Sequence, residues 1–185
     1  VADALTNPAE TLSSFCQHAH AKTGEPITIR AICPADEPMM IPFHQALSDR
    51  TVRYRYFGDL KLGQRVLHER LLKVCHCDFE HDIALVAVHG EGDDQRIIAV
   101  GRIGRDDPHA KSMEFALLVR DDFQGKGVGK LLLTSLIELG RRVGLQRITA
   151  DILPENREMI ELARKVGFTL ARDEEENVVR ARIEL

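Results

Sequence analysis

The segment Gln124-Gly125-Lys126-Gly127-Val128-Gly129 constrains this chain more than any other. Before it stands a run that reads as a strand, Ser112 to Val119. After it comes an amphipathic stretch with Val128, Leu131, Leu132, Ser135, Leu139 and Val143 on one side of a helix. Glycines let the backbone approach a ligand and take positive φ without strain. The first turn of a helix exposes unpaired N–H groups and the positive end of the helix dipole. Together these bind phosphate or pyrophosphate. Lys126 adds a cation there, and Lys130 follows one turn on. The segment lacks the Gly-Lys-Ser/Thr ending of a P-loop. It also comes late, after strands in antiparallel sequence, which is not the place of a Rossmann fingerprint. A tight turn with no ligand has the same local pattern, so the rest of the chain must decide.

The surroundings read as an α/β domain. Asn7-Pro8 opens a predicted helix to about His20, and Lys22 to Pro26 breaks it. Ile27 to Ala31 alternates as a strand. Three helices follow, from Asp36 (with Pro42 inside), from Ser48-Asp49, and from Leu60 to Val74. Ile83 to Val88 and Arg96 to Ile103 form a hairpin, and Ser112 to Val119 is the next strand. After the glycine segment the order is helix to Val143, strand Arg147 to Ile152, a helix opened by Pro154-Glu155-Asn156 that runs to Val166 and is closed by Gly167, and strands Phe168 to Arg172 and Val178 to Ile183. The organisation divides into an N-terminal arm or linker, residues 1–26, and a domain from 27 to 185.

Composition narrows the function classes. The 185 residues carry a net charge of −4, which gives no electrostatic case for nucleic acid or a membrane surface. No run approaches the length of a transmembrane helix. Val1-Ala2-Asp3-Ala4 does not read as a secretory signal. Cys16, Cys33, Cys75 and Cys77 match no disulfide framework or zinc spacing, so a reducing cytoplasm is expected and metal binding is not.

Two stretches carry a resemblance to a known family. Arg120 to Leu132, with Gln124, Gly125, Gly127 and Gly129, resembles the Gln/Arg-x-x-Gly-x-Gly/Ala signature of the GNAT superfamily of acyl-CoA-dependent N-acyltransferases. Asn156, Met159, Ala163, Lys165, Gly167 and Phe168 resemble its second signature. The likeness covers about Ile27 to Leu185. Ile27–Arg30, Arg53–Gly58, Glu114–Asp122 and Leu162–Thr169 are also similar to the GNAT domain of bacterial Pat-type protein lysine acetyltransferases, which modify a lysine of acyl-CoA synthetases and are often fused to a further domain.

That resemblance implies a mixed, twisted central sheet with helices on both faces, its fourth and fifth strands splaying to admit pantetheine. It implies acetyl-CoA as co-substrate. Leu117 and Val119 would offer backbone groups to pantetheine. Gln124, Gly125, Lys126, Gly127, Gly129 and Lys130 would cradle the pyrophosphate through backbone amides, and Asn156 would contact the pantetheine arm or a nearby water. Glu114 resembles the catalytic glutamate of the Pat type; a carboxylate near the acyl carbon can take the amine's proton. The tyrosine that serves many relatives as general acid is replaced by Ala163.

Other groups read more simply. Tyr54 and Tyr56 belong to the helical insert as core or rim residues. His81, His89 and His109 read as loop or surface histidines, and Asp173 to Glu176 as a solvated turn. The expected function is acetyl transfer to a protein lysine, with an acyl-CoA synthetase as partner. A small-amine acetyltransferase and a non-catalytic acyl-CoA sensor are the alternatives, because fold does not decide the acceptor.

Overall fold

The computed structural model describes residues 12–77, 81–105, 107 and 109–185. Its frame is one eight-stranded sheet. In chain order the strands are β1 (Cys16–His20), β2 (Pro26–Ala31), β3 (Asp82–His89), β4 (Arg96–Gly104), β5 (Ser112–Val119), β6 (Arg147–Ile152), β7 (Thr169–Asp173) and β8 (Val178–Glu184). In space they run β1-β2-β3-β4-β5-β6-β8-β7. All neighbours are antiparallel except β5 and β6, which are parallel. The helices are α1 (Glu37–Gln45), α2 (Asp49–Tyr56), α3 (Leu62–Arg65), α4 (His68–Cys75), α5 (Val128–Arg142) and α6 (Arg157–Val166).

β3 shows why helices must cover both faces. All of Ile83 to Val88 is buried, and side chains alternate between faces along a strand. Ile83, Leu85 and Ala87 enter a core with Leu132, Leu133 and Leu136 of α5 and Ala163 of α6. Ala84, Val86 and Val88 enter a second core with Met40 and Phe43 of α1, Val52 of α2 and Leu71 of α4. At about 25 cal/mol per Å² of apolar surface buried, two such cores are the main source of stability. Gly101 on β4 lets α5 lie close: a Cβ there would stand 2.9 Å from a methyl of Leu136 and 3.0 Å from Leu132.

Two expectations are corrected. Of the segment expected as a helical arm, Leu12 and Ser13 are helical, but Cys16–His20 is strand β1, paired antiparallel with β2 from Cys16↔Arg30 to His20↔Pro26. Leu12, Phe15 and Ala21 beside it are buried in the first core. The edge of β2 offers backbone donors and acceptors that need partners, and this outweighs a weak helical periodicity. The expected start of that helix, residues 8–11, lies outside the described residues. The single helix expected over Leu60–Val74 is two, α3 and α4, separated at Val66 and Leu67. Buried Arg65 holds the first piece: its Nε donates to the Leu60 carbonyl oxygen at 3.0 Å and Nη1 to that of His44 at 2.9 Å. Among the described residues no helix is long and apolar enough to cross a membrane.

Candidate active site

The site begins where the β5–β6 ladder ends. Ser112↔Arg147, Met113↔Ile148 and Glu114↔Thr149 are paired, and beyond Glu114 the two strands part. Counted from β2, these are the fourth and fifth strands, the pair expected to splay. A cleft of about 430 Å³ opens between them and continues to the glycine loop. Glu114, Leu117, Val119, Gln124, Gly125, Gly127, Gly129, Lys130 and Asn156 all line it. Of the predicted site residues only Lys126 does not.

The loop has the backbone that its glycines foretold. Gly125 and Gly127 take φ of +73° and +86°, and Gly127 is the N-cap of α5. The amides of the first turn of α5 therefore point out of the helix end beside the cleft. Gly129 stands against Leu117, Val119 and Leu162, where an added Cβ would come to 3.3–3.5 Å of their side chains. This closeness keeps the helix start near the parted strand.

Several predicted residues hold the site rather than face a ligand with their side chains. Gln124 Nε2 donates to Thr51 Oγ1 and to the Val119 carbonyl oxygen, both at 3.0 Å. Its side chain ties the loop to α2 and to β5. Asn156 caps α6, its Oδ1 accepting from the Met159 N–H at 3.2 Å. Its side-chain NH₂ remains for a ligand. Lys126 turns away: its ammonium donates to Glu25 Oε1 at 2.8 Å and lies 4.7 Å from the centroid of the Phe123 ring.

Glu114 is exposed on the β5 face that also carries Ala116 and Leu118. Arg55 of α2 lines the same cleft and is close enough to attract it. Burial pushes the Arg55 guanidinium below its ordinary pKa, with Arg70 and Arg102 pushing the same way and Tyr56 and Glu114 resisting. Arg55 and Arg70 both stand over the Tyr56 ring, with guanidinium carbons 5.0 and 5.3 Å from its centroid, a cation–π arrangement. Ala163, at the position where relatives carry a tyrosine, is fully buried and has no hydroxyl to offer.

His81, His89 and His109 lie outside the cleft lining, but His89 is no loop residue: it ends β3, half-buried, with its ring 5.5 Å from that of Phe123. His89 Nδ1 is 2.8 Å from the Pro26 carbonyl oxygen, and the His109 N–H donates to Asp107. Cys75 and Cys77 are pushed up to about 11 and about 12, chiefly by burial, which makes them poor thiolates. Among the described residues no three His, Cys, Asp or Glu side chains group to hold a metal.

Residues 50–168 match the model of the acetyltransferase (GNAT) family. The chain belongs to that family. It is 31% identical over 153 residues to the acetyltransferase Pat of Mycolicibacterium smegmatis, covering 83% of this chain and 44% of that protein. It is 27% identical over 154 residues to acetyltransferase PA5475 of Pseudomonas aeruginosa, covering 83% of this chain and 81% of that one. The GNAT domain of Streptomyces lividans PAT, a crystal structure, superposes with a TM-score of 0.81 at 28% identity, covering 92% of this chain and 97% of the other. The chain thus spans less than half of the M. smegmatis Pat protein.

The GNAT cleft here fits an acyl-CoA on its own geometry: a parted strand pair, a helix N-terminus with its amides exposed, and glycines at positive φ beside both. Sequence reading did not name Lys22, Arg50, Thr51, Arg55 or Phe57 as site residues, and placed Tyr54 only in the core or rim of the insert; all six line this cleft. Thr51, Tyr54 and Arg55 stand at i, i+3 and i+4 and so share one helix face, a signal that could have found them. Lys22 gave none, because its place depends on the pairing of β1 with β2.

Proposed function

We propose that this chain is an acetyl-CoA-dependent N-acetyltransferase whose acceptor is a lysine side chain of a protein, an acyl-CoA synthetase being the expected partner. One observation carries the reading: Glu114 stands at the fork of β5 and β6, in the same cleft as the anion-binding loop. A base at that point can serve an amine arriving from outside while the phosphates lie at the other end.

Acetyl-CoA supplies an acetyl group activated as a thioester. The chain's residues do the rest. Backbone amides at the start of α5 and the NH₂ of Asn156 hold the ligand along the cleft. Glu114 takes the proton that the lysine ammonium must lose before its nitrogen can attack. Arg55 keeps a compensating positive charge beside that carboxylate. Phe57 stands at the rim, 49% exposed, in a left-handed conformation with φ of +58°. That conformation closes the C-terminal end of α2. The Phe57 ring offers an apolar face to the methylenes of an incoming lysine. The likeness to Pat supports a protein acceptor in preference to a small amine.

Incubation with acetyl-CoA and a purified acetyl-CoA synthetase, followed by mass spectrometry of the synthetase, tests this. Acetylation of a synthetase lysine above the level without enzyme is the expected result. No such modification, alongside rapid acetylation of a polyamine or an amino acid, would replace the protein acceptor with a small one and leave the cleft's ligand unchanged.

A further inference from the structure

The cation expected at the loop is already engaged. Lys126 donates to Glu25, and the hydrogen bonds from Lys126 and Thr23 hold the Glu25 carboxyl down at about 2. The pair neutralises itself at neutral pH. The same β1–β2 hairpin that carries Glu25 carries a second cation three residues earlier. The Lys22 N–H donates to the Lys126 carbonyl oxygen at 2.9 Å, a main-chain bond that seats the hairpin on the loop. The side-chain carbons of Lys22 lie 3.3–3.6 Å from where a Cβ of Gly127 would stand. Its methylenes therefore lie over the N-cap of α5, and no ion pair among the described residues takes up its ammonium.

Position adds a second argument. Lys22 lines the main cleft and also a neighbouring depression of about 360 Å³ beside α5. The two share Lys22, Gly127 and Lys130. A phosphorylated ligand that runs from the parted strands over the helix end into the second depression would lie beside the residues common to both, Lys22 and Lys130 among them. There it meets oriented amides, whose partial positive charge is fixed, and a mobile full charge on a long stem.

We propose that Lys22, delivered by the N-terminal strand, is the phosphate-binding cation of the acyl-CoA site in the place expected for Lys126. It rests on acyl-CoA being the ligand of the cleft. Strand β1 is then part of the binding machinery. The phosphate is either the pyrophosphate or the 3′-phosphate of CoA, which Lys22 reaches from the two depressions.

Calorimetric titration of the whole chain with CoA and with dephospho-CoA tests this. Lys22→Met keeps the packing over Gly127 and removes the charge. It should weaken CoA binding by about tenfold, the size of a charge-assisted contact, while Lys22→Arg stays within about threefold of wild type. Lys111→Met, which removes the same charge at the far end of β5, should bind like wild type. The KM for acetyl-CoA should rise in Lys22→Met with kcat unchanged. A penalty that persists with dephospho-CoA assigns the contact to the pyrophosphate; one that vanishes assigns it to the 3′-phosphate. Thermal melts compare folding, and Lys22→Gln repeats the measurement in a second, polar background. Lys22→Met and Lys22→Gln binding CoA within about twofold of wild type would overturn the proposal. Wild-type protein that binds neither ligand would overturn the acyl-CoA reading along with it.

Discussion

Glu114 faces Thr149 at the last rung of the β5–β6 ladder and lines the cleft that opens where the strands part. This places a carboxylate at the tip of the fork, with the anion-binding loop at the cleft's other end. Glu114→Gln keeps the side chain's shape and removes its basicity. Turnover is expected to fall by roughly 10²-fold or more, the usual contribution of a positioned base, with CoA affinity almost unchanged. Near-full turnover at pH 7 would show that another group carries the proton.

Gly127 is the N-cap of α5 at φ +86°. Aspartate there strains the backbone by about 1 kcal/mol and places a carboxylate beside Lys22 and the helix end. Gly127→Asp is expected to fold and to lose CoA binding. Calorimetry finding unchanged affinity in a folded variant would remove the loop from the site.

Asp121 ties the loop to α2. Its carboxylate accepts from the Ser48 N–H at 3.0 Å, the Ser48 hydroxyl at 2.5 Å and the Thr51 hydroxyl at 3.1 Å. Burial acts to raise its pKa, but these hydrogen bonds and Arg50 outweigh it and leave it lowered. The stability gained is therefore complete above the ordinary aspartate value of 3.8 and lost as pH falls through the lower folded value. Asp121→Ala should cost about 1–2 kcal/mol, the scale of a lost cap, in urea unfolding at pH 7. It should weaken CoA binding too, because Gln124 hangs on Thr51. A variant with wild-type stability and affinity would show that this bridge holds nothing.

His44 is buried beside Phe43, and among the described residues its Nδ1 finds no hydrogen-bond partner. Burial first, then Arg65 and Arg70, lower its pKa from 6.5 to about 4. The unfolded chain therefore binds a proton between those values that the folded chain refuses. Stability is full above 6.5 and declines as pH falls toward 4, by on the order of 3 kcal/mol. Unfolding curves at pH 7 and pH 4 should show that decline in wild type and a flatter response in His44→Leu. Equal slopes in both proteins would assign the decline to other groups.

Legibility followed the range of the forces. The glycine loop, the Ser48 cap of α2, the opening of α6 at Pro154-Glu155-Asn156 and Gly167 closing it were all readable, since each needs only neighbours a few residues away. The α5 stripe and the fully apolar β3 were readable because burial on one or both faces imposes a period on the sequence. Of the nine predicted site residues that line the cleft, Gln124, Gly125, Gly127, Gly129, Lys130 and Asn156 sit in the two motifs, which carry their own local geometry, while Glu114, Leu117 and Val119 come from strand β5.

What the sequence could not decide was where distant segments meet. Residues 16–20 form a strand because β2 presents an open edge, a long-range demand that overrode their local pattern. That single pairing brings Lys22 onto Gly127 and Glu25 onto Lys126, and so redistributes the charge at the loop. Likewise Arg65 breaks one expected helix into two by reaching the Leu60 and His44 carbonyls. Local conformational preference and burial periodicity were written in the chain. The assignment of each charge to a ligand or to another side chain depended on separations of up to a hundred residues, and only the folded structure could set those.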